Sequence, residues 1–411
     1  MPIRKKIYVL VFLGFAVSGC NRGITPGVLR FSNFWSEPSE RAAMDSLIAG
    51  FHRAYPNIPV QTSELSWADG KMKLMAGFNS QTAPDVLELG SDWVAQFSSS
   101  GVLQELDSDS AILPRFQNAP KYALPPGQWH GHYYAVPWLL DTRVIFINDD
   151  LLSQTTASTT PKDSAAWNWQ TMQSWAKQIN KAHSGEGIGV NGPDEHRLYK
   201  KFLPYVWSNG GELFDSAGHP TMDEPQNVEA LRYYVDQQHY GTMETQKNLD
   251  DAFVRGNLGI WFSGSWLLPK LVHAPFHWHT VPFPGNDGHP GESFAGGEYL
   301  AINAGSAMKR EAELFLAYIT RPDNELAFAR DVNEYPADVR SQSDPFYLHR
   351  REGNVFTAQL AHAKMTPVIP QWLDLESIIE DEVSKALYNV ETPEQAMRSM
   401  QRRAVARMRE P

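Results

Sequence analysis

Tryptophans that stand next to polar residues are the feature of this sequence that points most directly to chemistry. The chain has 13 tryptophans in 411 residues. A sugar ring has flat C–H faces that stack on an indole, and its hydroxyl groups need partners such as carboxylates, amides and guanidinium groups. For any one tryptophan, burial in the core is an equally good explanation. Six stand beside glycines, prolines or acids where elements are predicted to end: Trp35, Trp93, Trp138, Trp207, Trp266 and Trp372.

An acid and a base two residues apart are the strongest polar candidates. Asp141 and Arg143 precede the apolar run Val144–Ile147, and residues i and i+2 share one face of a strand. A carboxylate can accept from two sugar hydroxyls, and such charged hydrogen bonds contribute roughly 1.5–3 kcal/mol each. The alternative is a structural ion pair where the strand begins. The other polar candidates are Glu40, Asp92, Asn209 and Glu298.

Glycines and histidines complete the set of candidate positions. Gly264 and Gly297 permit a ligand to approach the backbone closely, although plain turns explain them as well. The pairs His130–His132 and His277–His279 place two imidazoles on one face of a strand, but no motif supplies the third ligand that zinc requires. There is no phosphate-binding glycine loop. The sequence therefore predicts no metal site and no cofactor.

Strands and helices alternate in the segments that must position these residues. Segment 28–34 is predicted to be a strand, a helix with one apolar face follows it, and 58–62 is predicted to be a second strand. The order strand, helix, strand predicts a parallel α/β sheet. The run Val144–Ile147 predicts a strand that is covered on both faces. A chain of 411 residues is long enough for two domains.

The first 20 residues have the features of an export signal. A basic segment, Arg4–Lys6, precedes a short apolar stretch and the junction Val17–Cys20, which resembles a bacterial lipobox. Residues 1–19 are predicted to be the signal peptide, Cys20 the lipidated residue, and 20–27 a tether. Cys20 is the one cysteine of the chain, so it cannot form a disulfide within the chain.

Charge excludes one class of partner. Removal of residues 1–19 takes away three basic side chains and no acids, which moves the formal net charge from −11 to −14. Nucleic-acid binding selects basic surfaces, so no nucleic-acid partner is predicted. The chain has no apolar run of about 18 residues, so no permanent membrane span is predicted.

Several short motifs, taken in order, resemble the sugar-binding lipoproteins among the solute-binding proteins of ABC transporters, a family similar to maltose-binding protein. The longest motif is Tyr134–Arg143, with Val136, Pro137, Trp138, Asp141 and Arg143 at the matching positions. The others are Pro84–Val86 with Ser91–Trp93, Trp207–Gly211, and Gly264–Trp266. The resemblance extends over about residues 29–402, and the order and spacing of the motifs carry it.

The resemblance implies a two-lobed α/β fold of the type II periplasmic-binding-protein kind, in which each lobe has a mixed sheet flanked by helices. The first lobe would comprise 28–139 plus 298–340 and the second 145–294 plus 345–409. Hinge crossovers would lie near 139–145, 294–298 and 340–345. The implied ligand-binding residues add Trp67 and Tyr335 to the candidates above.

The implied function is that of an exported, lipid-anchored receptor on the periplasmic or outer side of a membrane. It would bind a neutral sugar or oligosaccharide between the lobes, act as a monomer, and deliver the sugar to the permease subunits of an ABC transporter. A secreted glycoside hydrolase using Asp141 and Glu298 is the alternative, because paired carboxylates also serve glycoside hydrolysis. Arg143 argues against it, because a nearby guanidinium keeps Asp141 ionised. A polyamine, a metal or a phosphorylated sugar would require acidic cages, histidine clusters or basic pockets, which the tryptophan-rich set fits less well.

Overall fold

The computed structural model describes residues 27–156, 167–182, 187–287, 289–349 and 351–409. The predicted signal peptide, Cys20 and all but the last residue of the predicted tether lie outside the described residues. Within these ranges, none of the helices is both long enough and apolar enough to cross a membrane.

The strands of the described residues are β1 (Leu29–Asn33), β2 (Val60–Glu64), β3 (Val86–Gly90), β4 (Gln128–Trp129), β5 (His132–Tyr133), β6 (Ala135–Asn148), β7 (Gly189–Asn191), β8 (Thr242–Glu244), β9 (Ile260–Gly264), β10 (Trp278–Val281), β11 (Ser293–Ile302), β12 (Tyr335–Pro336) and β13 (Ala363–Lys364).

The α-helices of the same residues are α1 (Pro38–Ala54), α2 (Gly70–Asn79), α3 (Val94–Ser99), α4 (Leu113–Asn118), α5 (Asp149–Ser153), α6 (Trp169–Ala182), α7 (Leu198–Ser208), α8 (Pro225–Asp236), α9 (Gln246–Val254), α10 (Leu268–Leu271), α11 (Lys309–Ile319), α12 (Pro322–Val332), α13 (Pro345–Leu348), α14 (Arg351–Leu360), α15 (Trp372–Leu387) and α16 (Pro393–Arg409).

One mixed sheet runs through the molecule in the order β10-β6-β11-β3-β1-β2, with β9 and β12 also paired to β6 and β13 paired to β11. The strands β1, β2 and β3 are parallel, as the strand–helix–strand order predicts. Helix α1 covers them because Met44, Leu47 and Phe51 recur at helical spacing and are buried. The mixed α/β class predicted from the sequence is confirmed.

Two long strands connect the two halves of the molecule. The first part of β6 pairs with β11, and its last part pairs with β9 and β10. All 14 residues of β6 are buried, as expected for a strand with protein on both faces. We call the elements around β1, β2 and β3 the first lobe and those around β7 to β10 the second lobe. The predicted hinge segments 139–145 and 294–298 lie within β6 and β11, and the lobe boundaries stay a prediction.

The hydrophobic core has three parts. One cluster lies in the first lobe between β1, α1, α11 and α12, and another lies around β9, α9 and α14. The largest cluster contains Phe34 and Trp93 of the first lobe together with Tyr199 and Phe262 of the second. Apolar packing is therefore continuous from one lobe to the other.

Gly297 of β11 is packed against the backbone of β6, and Gly297→Ala is expected to destabilise the fold. A Cβ atom at this position would lie 2.4 Å from the carbonyl oxygen of Leu139, which is a backbone atom and cannot swing away. Overpacking of this kind costs about 1–3 kcal/mol. Urea unfolding measures the loss. Gly305→Ala is the control, because Gly305 is exposed and its nearest neighbour is the side-chain oxygen of Asn303; equal losses in the two variants would contradict this assignment.

Candidate ligand site between the lobes

The charged residues of β6 face glycines on the neighbouring strands. Asp141 is directly opposite Gly296 of β11, and Arg143 is directly opposite Gly264 of β9. A Cβ atom on Gly296 would lie 2.3 Å from Asp141 Oδ1. Because directly paired residues share a face of the sheet, Gly296 leaves space that Asp141 occupies. Gly264 leaves space for the ring of Trp266, which a Cβ atom there would approach to 1.9 Å.

The same arrangement continues on β3. Glu298 of β11 is directly opposite Gly90, the last residue of β3. A Cβ atom on Gly90 would lie 2.6 Å from Asp92 Oδ1 and 3.3 Å from the ring of Trp67. Asp92, Trp67 and Glu298 therefore meet around one small residue. We call the region formed by Asp92, Asp141, Arg143, Lys200 and Glu298, with the side chains that contact them, the interlobe junction.

Arg143 is buried between an acid and two aromatic rings. Its Nη1 lies 2.9 Å from Asp141 Oδ2, but neither Nη1 nor Nε has hydrogen-bond geometry to any acceptor in the described residues. The guanidinium carbon is 4.7 Å from the ring centre of Phe294 and 5.3 Å from that of Trp266. The contact with Asp141 is an ion pair, and donor capacity remains available on the guanidinium.

Asp92 connects the first lobe to helix α7 of the second. The hydroxyl of Tyr199 donates to Asp92 Oδ2 over 2.5 Å, His196 Nε2 is 3.6 Å from the same oxygen, and Lys200 Nζ is 3.9 Å away. Burial alone would raise the pKa of Asp92, but Lys200 and His196 outweigh burial and hold it below its usual value. Asp92 is thus an ionised carboxylate that faces the ammonium of Lys200 on the other lobe.

Helix α15 supports the start of α7. His196 Nδ1 lies 2.7 Å from Glu376 Oε1, and the backbone N–H of His196 donates to Glu380 over 3.0 Å. Burial, reinforced by Glu376, raises the pKa of Glu380 to about 8. Lys200 extends from α7 over the rings of Trp67 and Phe294, and its Nζ is 5.6 Å from each ring centre.

Three further carboxyl groups at the interlobe junction, those of Glu298, Glu88 and Glu334, are buried or partly buried. Burial, reinforced by Asp141 and opposed by Lys200 and Arg143, raises the pKa of Glu298 to about 8. Burial and the neighbouring Glu298 also raise the pKa values of Glu88 and Glu334 well above the usual range. Phe34 N–H donates to Glu88 over 3.1 Å, and the hydroxyl of Ser265 donates to Glu334 over 2.8 Å.

Glu298→Gln is expected to flatten the pH dependence of stability. The folded-state pKa of Glu298 is raised from 4.5 to about 8, so the folded protein keeps a proton that the unfolded chain loses. The free energy of unfolding is therefore highest below the unfolded-state pKa and falls as pH rises towards about 8. Glutamine has no proton to lose. Urea unfolding at pH 5 and pH 8 measures the loss of unfolding free energy between the two pH values. This loss should be larger in the wild type and in the exposed-site control Glu244→Gln than in Glu298→Gln. Identical losses in all three proteins would refute the assignment.

The structure brings several predicted site residues together. Trp67 stacks on Phe34 with ring centres 4.0 Å apart and presents its other side to His196, at 6.0 Å. Trp266 is partly exposed, and its Nε1 donates to Asp250 over 3.0 Å. The predicted residues that lie in or beside the interlobe junction are Trp67, Asp92, Trp93, Asp141, Arg143, Gly264, Trp266, Gly297 and Glu298.

Other predicted residues lie in the core. Trp138 is fully buried and stacks on Phe328 at 4.8 Å, and Trp35 packs edge-on against the same two rings. Tyr335 is buried in the third cluster and donates to the carbonyl of Gly353. In this conformation Trp35, Trp138 and Tyr335 are packing residues, since large aromatic side chains serve cores as readily as ligand sites.

Two more tryptophans lie behind the interlobe junction. Trp372 is buried and contacts Tyr199 edge-on at 5.7 Å. Trp207 is buried beside Phe294 at 6.4 Å. Both can hold the aromatic residues that face the interlobe junction, and neither exposes a face there.

The remaining two predicted residues satisfy backbone groups. The carboxylate of Glu40 accepts from the N–H groups of Ser36 and Glu37, which completes a capping box at the start of α1. Asn209 ends α7, and its side-chain amide donates to the carbonyl of Gln226 over 2.9 Å. No contact of Glu40 or Asn209 with the interlobe junction is seen in the described residues.

The sequence analysis missed the residues that α7 supplies. Tyr199 and Lys200 lie in the first turn of α7, and His196 lies just before the helix with a φ of +66°; in the sequence the three are spaced i, i+3 and i+4. This spacing was the available signal. No sequence pattern indicated Glu88 or Glu334, because each is a single acid inside or beside an apolar run.

The residues able to hold a metal are already occupied by other contacts. Asp92, His196 and Glu376 offer ligand atoms within 4.8 Å of one another, but the ammonium of Lys200 lies 3.1 Å from His196 Nε2 and takes the cation's place. In the histidine pairs, His132 contacts Asp107 at 2.7 Å, and His277 and His279 contact Asp150 and Asp149. Two surface cavities of about 340 and 330 Å³ lie elsewhere, beside α2 and on α6.

Residues 35–326 match the family described as bacterial extracellular solute-binding protein. The chain is 26% identical over 396 residues to an uncharacterized lipoprotein from the oleD 5' region of Streptomyces antibioticus, covering 89% of this chain and 84% of the relative. It is 20% identical over 363 residues to the maltotriose-binding protein of Pyrococcus abyssi, covering 84% and 75%.

Solved structures show the same fold. The GacH receptor of Streptomyces glaucescens, described unliganded and with acarbose, superposes with a TM-score of 0.84 at 21% identity and covers 93% of this chain and 99% of its own. Maltose-bound MalE3 of T. maritima gives a TM-score of 0.81 at 22% identity, with 92% and 98% covered. The predicted two-lobed fold is confirmed.

The chain belongs to the bacterial extracellular solute-binding proteins. The predicted family and the predicted role, the substrate-binding component of an ABC transporter, are confirmed, and nothing in the comparisons supports the glycoside-hydrolase alternative.

Proposed function

We propose that the protein binds a sugar or oligosaccharide at the interlobe junction and delivers it to the permease of an ABC transporter. The observation that carries the proposal is the meeting, across the connecting strands, of charged and aromatic side chains from both lobes. Asp92 and Trp67 come from the first lobe, Lys200 and Trp266 from the second, and Arg143 from the strand between them. Relatives named for maltotriose and galactooligosaccharides support the class of ligand.

The lobes are in contact in this structure, so a ligand that binds between them must replace some of the contacts that the lobes make with each other. Asp92 and Tyr199 already bond across the interlobe junction, and Lys200 lies over Trp67. A saccharide that enters would replace these contacts with its own hydroxyls and C–H faces. Hinge closure around a ligand is the motion that periplasmic binding proteins use as a group. Specificity follows because only a ligand that contacts both lobes gains the full set of bonds.

The attachment and partners of the protein follow from the same class. We infer that Cys20 carries the lipid, that the protein faces the periplasm or the cell exterior, and that it acts as a monomer beside its permease. A relative named as a lipoprotein supports the anchor. Roughly 0.8 kcal/mol per buried CH₂ group would hold the acyl chains in the membrane.

Isothermal titration calorimetry with a panel of mono-, di- and oligosaccharides tests the proposal. Saturable binding of at least one saccharide is expected. A parallel assay for reducing-end release separates binding from hydrolysis: tight binding without new reducing ends supports the receptor function, and catalytic turnover would contradict it. If no saccharide binds at millimolar concentration, the proposal fails.

A further inference from the structure

The carboxyl groups at the interlobe junction outnumber the cations. Asp92, Asp141, Glu88, Glu298 and Glu334 lie there in the described residues, together with the cations Arg143 and Lys200. Lys201 also lies beside Trp266, but burial lowers the pKa of its ammonium well below the usual value. Arg143 is paired with Asp141, and Lys200 is close to Asp92. Across the described ranges, Glu88, Glu298 and Glu334 form no ion pair. Both cations are therefore already paired with other acids, and Glu88, Glu298 and Glu334 have no cation as a partner.

Two oxygens of these unpaired acids have no hydrogen-bond partner among the described residues. Glu88 is fully buried, and its Oε1 forms no hydrogen bond of good geometry in the described residues, although the side chain of Trp35 approaches this carboxylate and partly opposes the burial that raises its pKa; the other oxygen accepts from Phe34 N–H. Glu298 Oε2 is also without a partner. Glu88 and Gly90 alternate onto one face of β3, and Glu298 is directly opposite Gly90, so Glu88 and Glu298 share that face as diagonal neighbours. A buried acceptor without a donor destabilises the protein, and more so when it is charged.

Aromatic rings surround the same acids. Trp67 touches the position of Gly90, and Phe294 lies under both Arg143 and Lys200. Sugar rings stack on such faces, and a cation over an indole is attracted by the ring's quadrupole. The combination of unpaired carboxyls and rings suits a ligand that has both a sugar ring and a positive charge.

We propose that the ligand is a saccharide bearing a protonated amine, and that the ammonium donates hydrogen bonds to Glu298 and Glu88. This inference rests on the proposed function, and it refines the neutral sugar expected from the sequence. An ammonium is a donor with three hydrogens and no acceptor, so it fits two oxygens that lack donors. A neutral hydroxyl supplies one hydrogen and no charge to compensate the acids.

Charge compensation also predicts the behaviour with pH. The groups that face Glu298 are Asp141 and Arg143 on β6, Lys200 on α7, Glu88 on β3, and Glu334 before β12. A bound cation favours the ionised form of Glu298, whose pKa in the free protein is about 8. Binding at pH 7 should therefore release protons, and the heat of binding should change with the ionisation enthalpy of the buffer.

The test is a set of matched sugar pairs that differ only by one or two amino groups in place of hydroxyls. Glucose and glucosamine, galactose and galactosamine, trehalose and trehalosamine, and cellobiose and its diglucosamine analogue are titrated at pH 7 by calorimetry in two buffers. N-acetylated forms serve as a size control, because acetylation keeps the bulk and removes the charge. In at least one pair the amine form is expected to bind at least tenfold more tightly than both its neutral and its acetylated partner.

Glu298→Gln tests the acid itself. The variant should lose the proton release, and the ratio of amine-form affinity to neutral-form affinity should fall towards one. Glu325→Gln is the matched control, because Glu325 is also buried with a pKa of about 8 but lies in the first lobe, where it accepts from Asp338 N–H. The control should keep the preference for the amine. Thermal unfolding confirms that both variants are folded.

The outcomes separate this inference from the proposed function. If neutral sugars bind as tightly as their amine partners, or more tightly, the amine inference is overturned and the sugar receptor stands. If the amine preference survives in Glu298→Gln, the assignment to Glu298 is overturned. If neither kind of sugar binds, both proposals fall.

Discussion

Arg143→Ala is expected to lower the free energy of unfolding by about 3–5 kcal/mol, since removing one partner of a buried ion pair leaves an uncompensated charge. Arg143 is 6% exposed and is the cation nearest to Asp141, with Glu298 and Glu334 also within its influence. Without it, the five carboxyl groups of the interlobe junction would have Lys200 as the remaining permanent cation. Urea unfolding at pH 7 measures the change.

An exposed ion pair provides the control for Arg143→Ala. Arg41 and Glu64 form a two-pronged contact on the surface of the first lobe, with N···O distances of 2.6 and 2.7 Å. Solvent screens such pairs, so Arg41→Ala should leave stability almost unchanged. The double variant Asp141→Asn, Arg143→Ala should recover part of the loss, because the carboxylate that was left alone is also removed. Similar effects of Arg143→Ala and Arg41→Ala would contradict this account of the interlobe junction.

Trp67→Ala is expected to weaken saccharide binding at least tenfold, which corresponds to about 1.4 kcal/mol. Phe34 fixes the indole from one side, so the other side is presented in a fixed orientation towards the second lobe. A rigid aromatic ring of this kind provides contact area at a low entropic cost. Titration calorimetry with the saccharide that binds the wild type measures the effect.

Trp129→Ala is the control for loss of a tryptophan. Trp129 is also partly exposed, but it lies on the β4–β5 hairpin of the first lobe and packs against His130. Its replacement should leave the affinity unchanged. Equal losses in both variants would indicate a general effect on folding, and an unchanged affinity in Trp67→Ala would remove this residue from the site.

Local patterns in the sequence were sufficient for the elements of the fold. The apolar face of α1 and the run Val144–Ile147 predicted a covered helix and a buried strand, and both are present. The position of Asp141 and Arg143 on one face followed from the two-residue repeat of a strand. These predictions depend on neighbours along the chain, which a sequence displays directly.

Which tryptophans are exposed could not be predicted in the same way. Trp138 follows a proline and Trp67 follows a serine, and neither context shows which ring is covered: Trp138 is buried against Phe328, 190 positions away, whereas Trp67 faces the second lobe. The difference lies in which distant element covers each ring. The charge balance at the interlobe junction has the same origin, since Glu88 and Glu298 become neighbours only when β3 and β11 pair.

Hydrogen exchange with and without a saturating saccharide tests the central claim most directly, because it reports both lobes in one measurement. The account predicts slower exchange on binding in three regions together: residues 65–69 and 90–93 of the first lobe, the start of α7 near Lys200 in the second, and the middle of β6. Protection confined to one lobe would contradict the claim that the ligand lies between the lobes. Protection only beside α2, where a separate cavity lies, would contradict it equally.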